Sequence, residues 1–337
     1  MSVSVSGLVV GGGSIGRRHI RNLQQIGVEV AVLDRDPRVL DDVSSTFDVQ
    51  TYSSYARVHS EQSPDFCLVA TPNSSHVSVA MEAAEAGCHL FIEKPVSHKM
   101  NGVSELEALI SERNLVSLVG CNFRFHPELK KVKELLEADA IGNVVAARIE
   151  GGSYLPQWVP KRDYRESYSA REDLGGGVIL DYIHEINYAR WFFGEFDTVS
   201  AIAGQRTHLD IETDDVASIQ AITNSDITCQ FHFDYVQRPY SRSCHIIGEQ
   251  GTIRWSWSDE SVQWYQVSDE EWRSYSRPDG WKVNDMYVKE LKHFVTCVES
   301  GVETVCPVSS GRRDLAVALA ARHSAQTGRH VSTDEIS

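Results

Sequence analysis

Along the first third of the chain, short apolar runs alternate with stretches of helical spacing. Val3–Val10, Val28–Leu33, Phe66–Ala70, His89–Ile92 and Leu115–Val119 are strand-like. After the first run, Ile15, Ile20, Leu23 and Ile26 recur at helical intervals, and Gly27 suits a helix C′ position. Val77–Ala86, ended by Gly87, and Val103–Arg113 read the same way. Strand–helix–strand repetition with short connections predicts an α/β fold, an open doubly wound parallel sheet with helices on both faces.

The texture changes after about residue 125. Pro127–Glu137 has helical spacing and Val144–Gly151 is strand-like. A loop rich in Tyr, Trp, Arg and Pro then runs from Tyr154 to Asp173. Val178–Phe193 carries one helical period, entered through Gly175–Gly177 and left at Gly194. Val199–Ala203, Val216–Thr223, Ile227–Tyr235, Ser243–Ile247, Thr252–Trp257 and Ser261–Val267 follow with no helix between them. That predicts sequential antiparallel pairing. Helices over Asp285–Ser300 and Ser309–Thr327 finish the chain.

The pattern therefore predicts two domains, 1–123 and 124–337, the second α+β and built on one large, mostly antiparallel open sheet. Its helices look too few to cover both faces, and Ile219, Ala221, Phe231 and Phe233 recur in its strands. An uncovered apolar face is expected to join subunits into a homodimer or homotetramer.

Composition mainly removes function classes. Of 337 residues, 42% are hydrophobic and 23% charged, the balance of a folded globular protein. A single core stops growing near roughly 250–300 residues, which supports the two-domain division. Lys plus Arg number 32 against 47 Asp plus Glu, a net charge of −15 that argues against broad binding to nucleic acid or anionic lipid. The 7 cysteines are scattered, with no C-x-x-C pair, so neither a disulfide framework nor a zinc ribbon is expected. The 13 histidines show no H-E-x-x-H and no clustering with cysteine, so no metal is expected. No signal-peptide pattern opens the chain, and no apolar run approaches the roughly 20 residues that span a bilayer. A cytoplasmic, reduced protein is expected.

The sharpest chemical signal lies where the first strand meets the first helix: Gly11-Gly12-Gly13-Ser14-Ile15-Gly16, a G-x-G-x-x-G pattern. Glycines there allow a tight turn and the close approach of a pyrophosphate, which then sits on the helix N-terminus. Asp34 ends the second strand, where a carboxylate accepts the adenosine ribose hydroxyls. A carboxylate there repels the 2′-phosphate of NADP, so NAD is the expected cofactor. Arg35 beside it is able to bind that phosphate and keeps NADP open. Two further turns, Ala70–His76 and Phe91–Pro95, also follow strands of the parallel sheet, at the edge where such folds bind ligands.

GGGSIGRRH, TPNSSH, EKP and GGGVILDYIHEIN occur in that order, and on these motifs the chain resembles the glucose-fructose oxidoreductase and inositol dehydrogenase (Gfo/Idh/MocA) family. The resemblance covers both halves. It implies an N-terminal Rossmann domain, a C-terminal substrate-binding and oligomerisation domain, and hydride transfer between NAD(P) and a secondary alcohol or ketone of a sugar or sugar derivative. It also implies that Lys94 lies between nicotinamide and substrate, that Thr71, Pro72, Asn73 and His76 line the cofactor, and that Glu93 is near the nicotinamide ribose. A lysine beside a cationic ring can have a lowered pKa and hydrogen-bond a reacting hydroxyl.

Asp181 and His184 stand three residues apart, where the family usually has four; both spacings put two side chains on one helical face. His184 is the expected general base in alcohol oxidation, with Asp181 holding the substrate and Lys94 polarising or relaying. Arg124 is expected to reach the active site. The aromatic and basic loop Tyr154–Arg165, with Tyr154 and Trp158 as contacts, suits a sugar ring carrying a carboxylate or phosphate. This loop also resembles those of family members from surface-polysaccharide and sialic-acid-like sugar pathways. Two other functions stay open: a glycosidase that uses NAD transiently, and a non-catalytic NAD(P)-binding regulator. Retention of Lys94 together with Asp181 and His184 counts against the regulator.

Overall fold

A computed structural model describes residues 5–158 and 163–336. Residues 3 and 4 of the first expected strand, and Val159–Arg162 of the aromatic loop, lie outside the described residues.

The first compact unit runs to Asn122 and takes in Lys282–Arg312 as well. Its strands are β1 (Ser6–Val10), β2 (Glu29–Leu33), β3 (Gln50–Tyr52), β4 (Phe66–Val69), β5 (His89–Ile92) and β6 (Ser117–Val119). They pair in parallel in the order β3-β2-β1-β4-β5-β6, the doubly wound arrangement with its switch point between β1 and β4. Four of these strands are apolar and buried almost end to end, as strands covered on both faces must be. The helices are α1 (Ser14–Gln25), α2 (Pro37–Thr46), α3 (Tyr55–Glu61), α4 (His76–Glu85) and α5 (Val103–Glu112).

The second unit comprises Phe123–Trp281 and the chain from Arg313 onward. It holds α6 (Pro127–Glu137), β7 (Val144–Gly152), α7 (Val178–Asp181) and α8 (Ile183–Phe193). Seven strands follow: β8 (Phe196–Gly204), β9 (Val216–Thr223), β10 (Thr228–Asp234), β11 (Ser241–Gly248), β12 (Gly251–Ser256), β13 (Ser261–Gln266) and β14 (Glu271–Ser276). Two long helices, α9 (Asn284–Ser300) and α10 (Val308–Thr327), and the short β15 (Val331–Ser332) complete the order. The nine-stranded sheet reads β14-β13-β12-β11-β7-β10-β9-β8-β15.

Four expectations need amending. The chain 124–337 is not one body: α9 belongs with the first unit, where Leu291 and Phe294 enter the core and the Phe294 ring meets Phe66 at 5.3 Å and Phe91 at 5.6 Å. Pairing is not sequential throughout, because β7 inserts between β10 and β11, parallel to β10 and antiparallel to β11. Ile219, Ala221, Phe231 and Phe233 do not line an open face. All four are buried within the unit, and the alternate positions Ser218, Gln220, Gln230 and His232 are the exposed ones. Finally, the period over 178–193 is broken at Tyr182, whose backbone (φ −92°, ψ 25°) separates α7 from α8.

Candidate active site

At the first turn the chain needs glycine for steric reasons. Gly11 has φ +103°, and a Cβ on it would lie 2.6 Å from the Ala70 carbonyl oxygen. A Cβ on Gly16 would lie 1.9 Å from the Gly11 carbonyl oxygen, so the helix packs against the turn only as glycine. On Gly13 a Cβ would meet nothing within 4 Å. Gly13 is also the N-cap of α1, with no side chain capping it, so the N–H groups at Ser14 and Ile15 open a helix end beside free space. A concave turn, an uncapped 12-residue helix and no acid in its first turn fit a dinucleotide pyrophosphate.

Asp34 is fixed by the same turn. Its Oδ2 accepts the Gly12 N–H at 2.7 Å and its Oδ1 the Asp36 N–H at 2.9 Å, while Arg35 is exposed. The carboxylate is thus pre-oriented at the end of β2.

The turns after β4 and β5 are tied together by His76. The ring is buried, with Nδ1 2.8 Å from the Pro95 carbonyl oxygen and Nε2 2.9 Å from that of Thr71. Burial lowers its pKa against these two bonds. His76 therefore braces the Thr71–Pro72–Asn73 turn to the Lys94–Pro95 turn. Glu93 is 9% exposed; its Oε1 accepts from His19 Nε2 at 2.6 Å and its Oε2 from the Lys94 N–H at 3.2 Å. Burial raises the Glu93 pKa, but the His19 bond and the pull of His19 and Lys94 outweigh it, so the carboxyl titrates below its usual range. Lys94, half-buried, follows directly.

In the second unit, Asp181 and His184 flank the Tyr182 break and both are buried. Asp181 Oδ2 accepts from the Tyr235 hydroxyl at 2.6 Å. Burial and the neighbouring Asp181 charge push the Tyr235 pKa well up, so the phenol keeps its proton and donates. The His184 ring lies 4.9 Å from Phe123. Below it, α8 is anchored by a buried polar chain. Arg124 Nε donates to Asn187 Oδ1 at 2.9 Å, Asn187 Nδ2 donates to Asp314 Oδ2 at 2.7 Å, and Arg190 pairs with Asp314. The guanidinium of Arg124 thus reaches the helix that carries His184. Trp158, 38% exposed, donates to Ser153 Oγ, and its ring stands 5.5 Å from Tyr235. Tyr154 is covered by Arg238, whose guanidinium lies 3.5 Å from the ring centre.

His19, Tyr235, Phe123 and Arg238 were not singled out by sequence reasoning. For His19 a signal existed, since it closes the GGGSIGRRH motif. Tyr235 and Arg238 follow β10 and meet their partners only through the fold. Among the described residues, no helix is long and apolar enough to cross a membrane.

Comparison with known proteins gives the same reading. The model of an oxidoreductase family with an NAD-binding Rossmann fold matches residues 5–121, and that of the GFO/IDH/MocA C-terminal domain matches residues 129–254. Myo-inositol 2-dehydrogenase of Thermotoga maritima is 26% identical, across 97% of this chain and 98% of its own. Levoglucosan dehydrogenase, solved with NADH and levoglucosan, superposes with a TM-score of 0.89 at 18% identity, over 98% of this chain and 99% of its own. The WlbA dehydrogenase from Bordetella pertussis, solved with NADH and UDP-GlcNAcA, gives 0.83 at 20% identity, covering 98% of each chain. The two structural likenesses establish the shared fold, and the two domain matches establish kinship: this chain belongs to the GFO/IDH/MocA family of oxidoreductases, with NAD as its cofactor.

Proposed function

We propose that this oxidoreductase transfers a hydride between NAD and a secondary alcohol or ketone of a sugar or sugar derivative. The observation that carries the reading is the buried Asp181–Tyr235 pair beside His184, a proton-handling group that a cofactor-sensing regulator has no use for. Bound NAD supplies the hydride acceptor or donor. In alcohol oxidation His184 takes the hydroxyl proton, Asp181 accepts a hydrogen bond from a substrate hydroxyl, and Lys94 Nζ holds the reacting oxygen. Gly11, Gly13, Ser14, Ile15 and Gly16 cradle the pyrophosphate, Asp34 takes the adenosine ribose, and Glu93 faces the nicotinamide ribose. Thr71, Pro72 and Asn73 line the cofactor, while His76 holds their turn.

An acidic sugar is the proposed substrate class. Trp158, Tyr154 and Arg238 give an aromatic and cationic surface on a chain of net charge −15, and one relative was solved with the acidic nucleotide sugar UDP-GlcNAcA. A place in surface-polysaccharide or sialic-acid-like sugar metabolism belongs to the same proposal. The compartment we propose is the cytoplasm, supported by seven buried free thiols. Assembly into a homodimer or homotetramer through the solvent-facing side of the nine-stranded sheet, where Ile202 and Ile222 are exposed, is proposed as well; a strictly monomeric sedimentation profile at micromolar concentration rejects it.

The test is absorbance of NADH on mixing protein, NAD and a panel of neutral and acidic sugars. His184→Ala and Lys94→Ala should each lower turnover about 10²–10⁴-fold, with His184→Ala leaving NAD affinity intact. A His184→Ala enzyme with wild-type turnover across pH 6–9 sinks the assignment.

A further inference from the structure

Arg242 on β11 is a charged side chain inside the second unit. It is 9% exposed, and its guanidinium pairs with the carboxylate of the fully buried Glu185. Taking two ions out of water can cost more than their attraction returns, so a buried pair is weak evidence of a purely stabilising role. Its surroundings point to another. The guanidinium carbon lies 4.6 Å from the centre of the Phe123 ring and 4.9 Å from that of Tyr182. All three partners border the candidate base. Glu185 follows His184 in the first turn of α8, Tyr182 is the break in front of it, and the Phe123 ring stands 4.9 Å from the His184 ring.

We propose that Arg242 is a positioning residue for His184. The proposal rests on the reading of His184 as the general base and concerns what fixes that base in place. An imidazole takes its position from its own backbone and from the groups packed beside it. One guanidinium holds both here: the ion pair to Glu185 sets the rotation of the first turn of α8, and contact with Phe123 and Tyr182 fixes the ring beside His184 and the joint before it. The arginine itself stands on β11, hydrogen-bonded on both edges, to β7 and to β12. A catalytic group needs such support, since it must be held to within about 0.5 Å of its working position. Lysine, a point charge on a flexible stem, would pair with Glu185 but would not offer a planar face to the two rings.

The test uses the full-length protein, isotope-labelled in histidine and free of ligand, with the ring signal of His184 identified in NMR spectra by its loss in His184→Ala. Removing Arg242 alone strands the buried Glu185 charge, so the pair is replaced together, Arg242→Met with Glu185→Gln. This variant is expected to fold, to bind NAD as the wild type does, and to move the His184 signal toward the position of a free imidazole. Turnover of the sugar that the wild type oxidises fastest in the panel is expected to fall about 10–100-fold, chiefly in kcat, as a slightly misplaced catalytic group costs. In a His184→Ala background the same replacement should cost less than about twofold, because no base is left to misplace. An unmoved His184 signal overturns the proposal, and so does an equal loss in both backgrounds, which marks the pair as structural. If the double variant fails to fold, Arg242→Lys takes its place. It keeps Glu185 paired, and an unmoved His184 signal there overturns the proposal equally. The parent reading fails separately, when His184→Ala itself turns over as the wild type does; a moved His184 signal then still assigns Arg242 to holding that ring.

Discussion

Exchanging Glu290 for glutamine keeps the side chain's size and removes its ionisation, and linkage then dictates how stability must respond to pH. The folded carboxyl has its pKa raised well above 4.5 by burial and by Glu93, while in the unfolded chain it ionises near 4.5. Between those two values folding takes up a proton. The stabilising contribution of this group is therefore complete below about pH 4.5 and is lost as pH rises toward the folded pKa. The slope is about 1.4 kcal/mol per pH unit for one proton. Glutamine has no such term, so the variant's advantage over the wild type should widen with pH above about 5.5, where Glu93 is ionised in both proteins, by up to that amount per pH unit until the folded pKa is reached. For a unit of this size the gap in Tm should widen roughly 3–6 °C per pH unit. Thermal and urea melts at pH 5.5, 6.5 and 7.5 measure it, with Glu112→Gln on the exposed end of α5 as the blank. A misfitting amide adds a constant offset but no slope. Parallel stability curves for the wild type and Glu290→Gln would refute a neutral, desolvated Glu290.

Other substitutions probe the same sites. Gly16→Ala should cost about 2–3 kcal/mol in a melt and at least tenfold in NAD affinity, because its Cβ would press 1.9 Å from the Gly11 carbonyl oxygen and force α1 off the turn. Asp34→Ala should weaken both NAD and NADP, since it also releases the Gly12 and Asp36 N–H groups, but NAD more; an unchanged ratio in a binding titration counts against Asp34 as the discriminator. Tyr235→Phe removes the donor to Asp181 and should lower kcat/KM about 5–20-fold, chiefly through KM, as initial rates on an identified substrate would show.

Much of the fold could be read because its strands are local and apolar. The runs that end at Val10, Leu33, Ala70, Ile92 and Val119 all contain buried strands, and the helix starting at Pro127 ends at Glu137 as its spacing predicts. What escaped was polar, short or non-local. The segment with α2, β3 and α3 is mostly polar, and β3 has only 3 residues. Nearly every residue of β14 is exposed, so no alternation marks it. The parallel pairing of β10 with β7 joins segments some 80 residues apart, and no local signal encodes it. The same divide runs through the site. The glycine turn, Asp34, Glu93 and Lys94 lie in continuous motifs at strand ends, whereas Tyr235 finds Asp181 54 positions away. Glu290 sits in the run Lys289-Glu290-Leu291-Lys292 and reads as a solvated helix charge. Only its spacing from Tyr287 and Phe294 betrays the buried face.

The spacing of Asp181 and His184 shows how the core decides what a motif means. On an unbroken helix each residue turns the chain by about 100°, so three residues instead of four would swing His184 by that angle relative to the family arrangement. The helix is not unbroken. Tyr182 leaves helical geometry at ψ 25°, and α8 begins afresh at the next residue, with the Glu185 N–H bonded to the Tyr182 carbonyl at 3.1 Å. The break is held in place, because the Tyr182 ring is buried and stacks on Phe233 at 5.5 Å with 11° between the planes. Asp181 and His184 therefore stand on either side of one pinned joint rather than on one continuous helix. Asp181 is oriented by Tyr235 on one side of that joint, and on the other α8 is fixed through Asn187, Arg190 and Asp314. Each of the two side chains is held by its own anchors, so the distance between them along the sequence no longer sets their relative orientation.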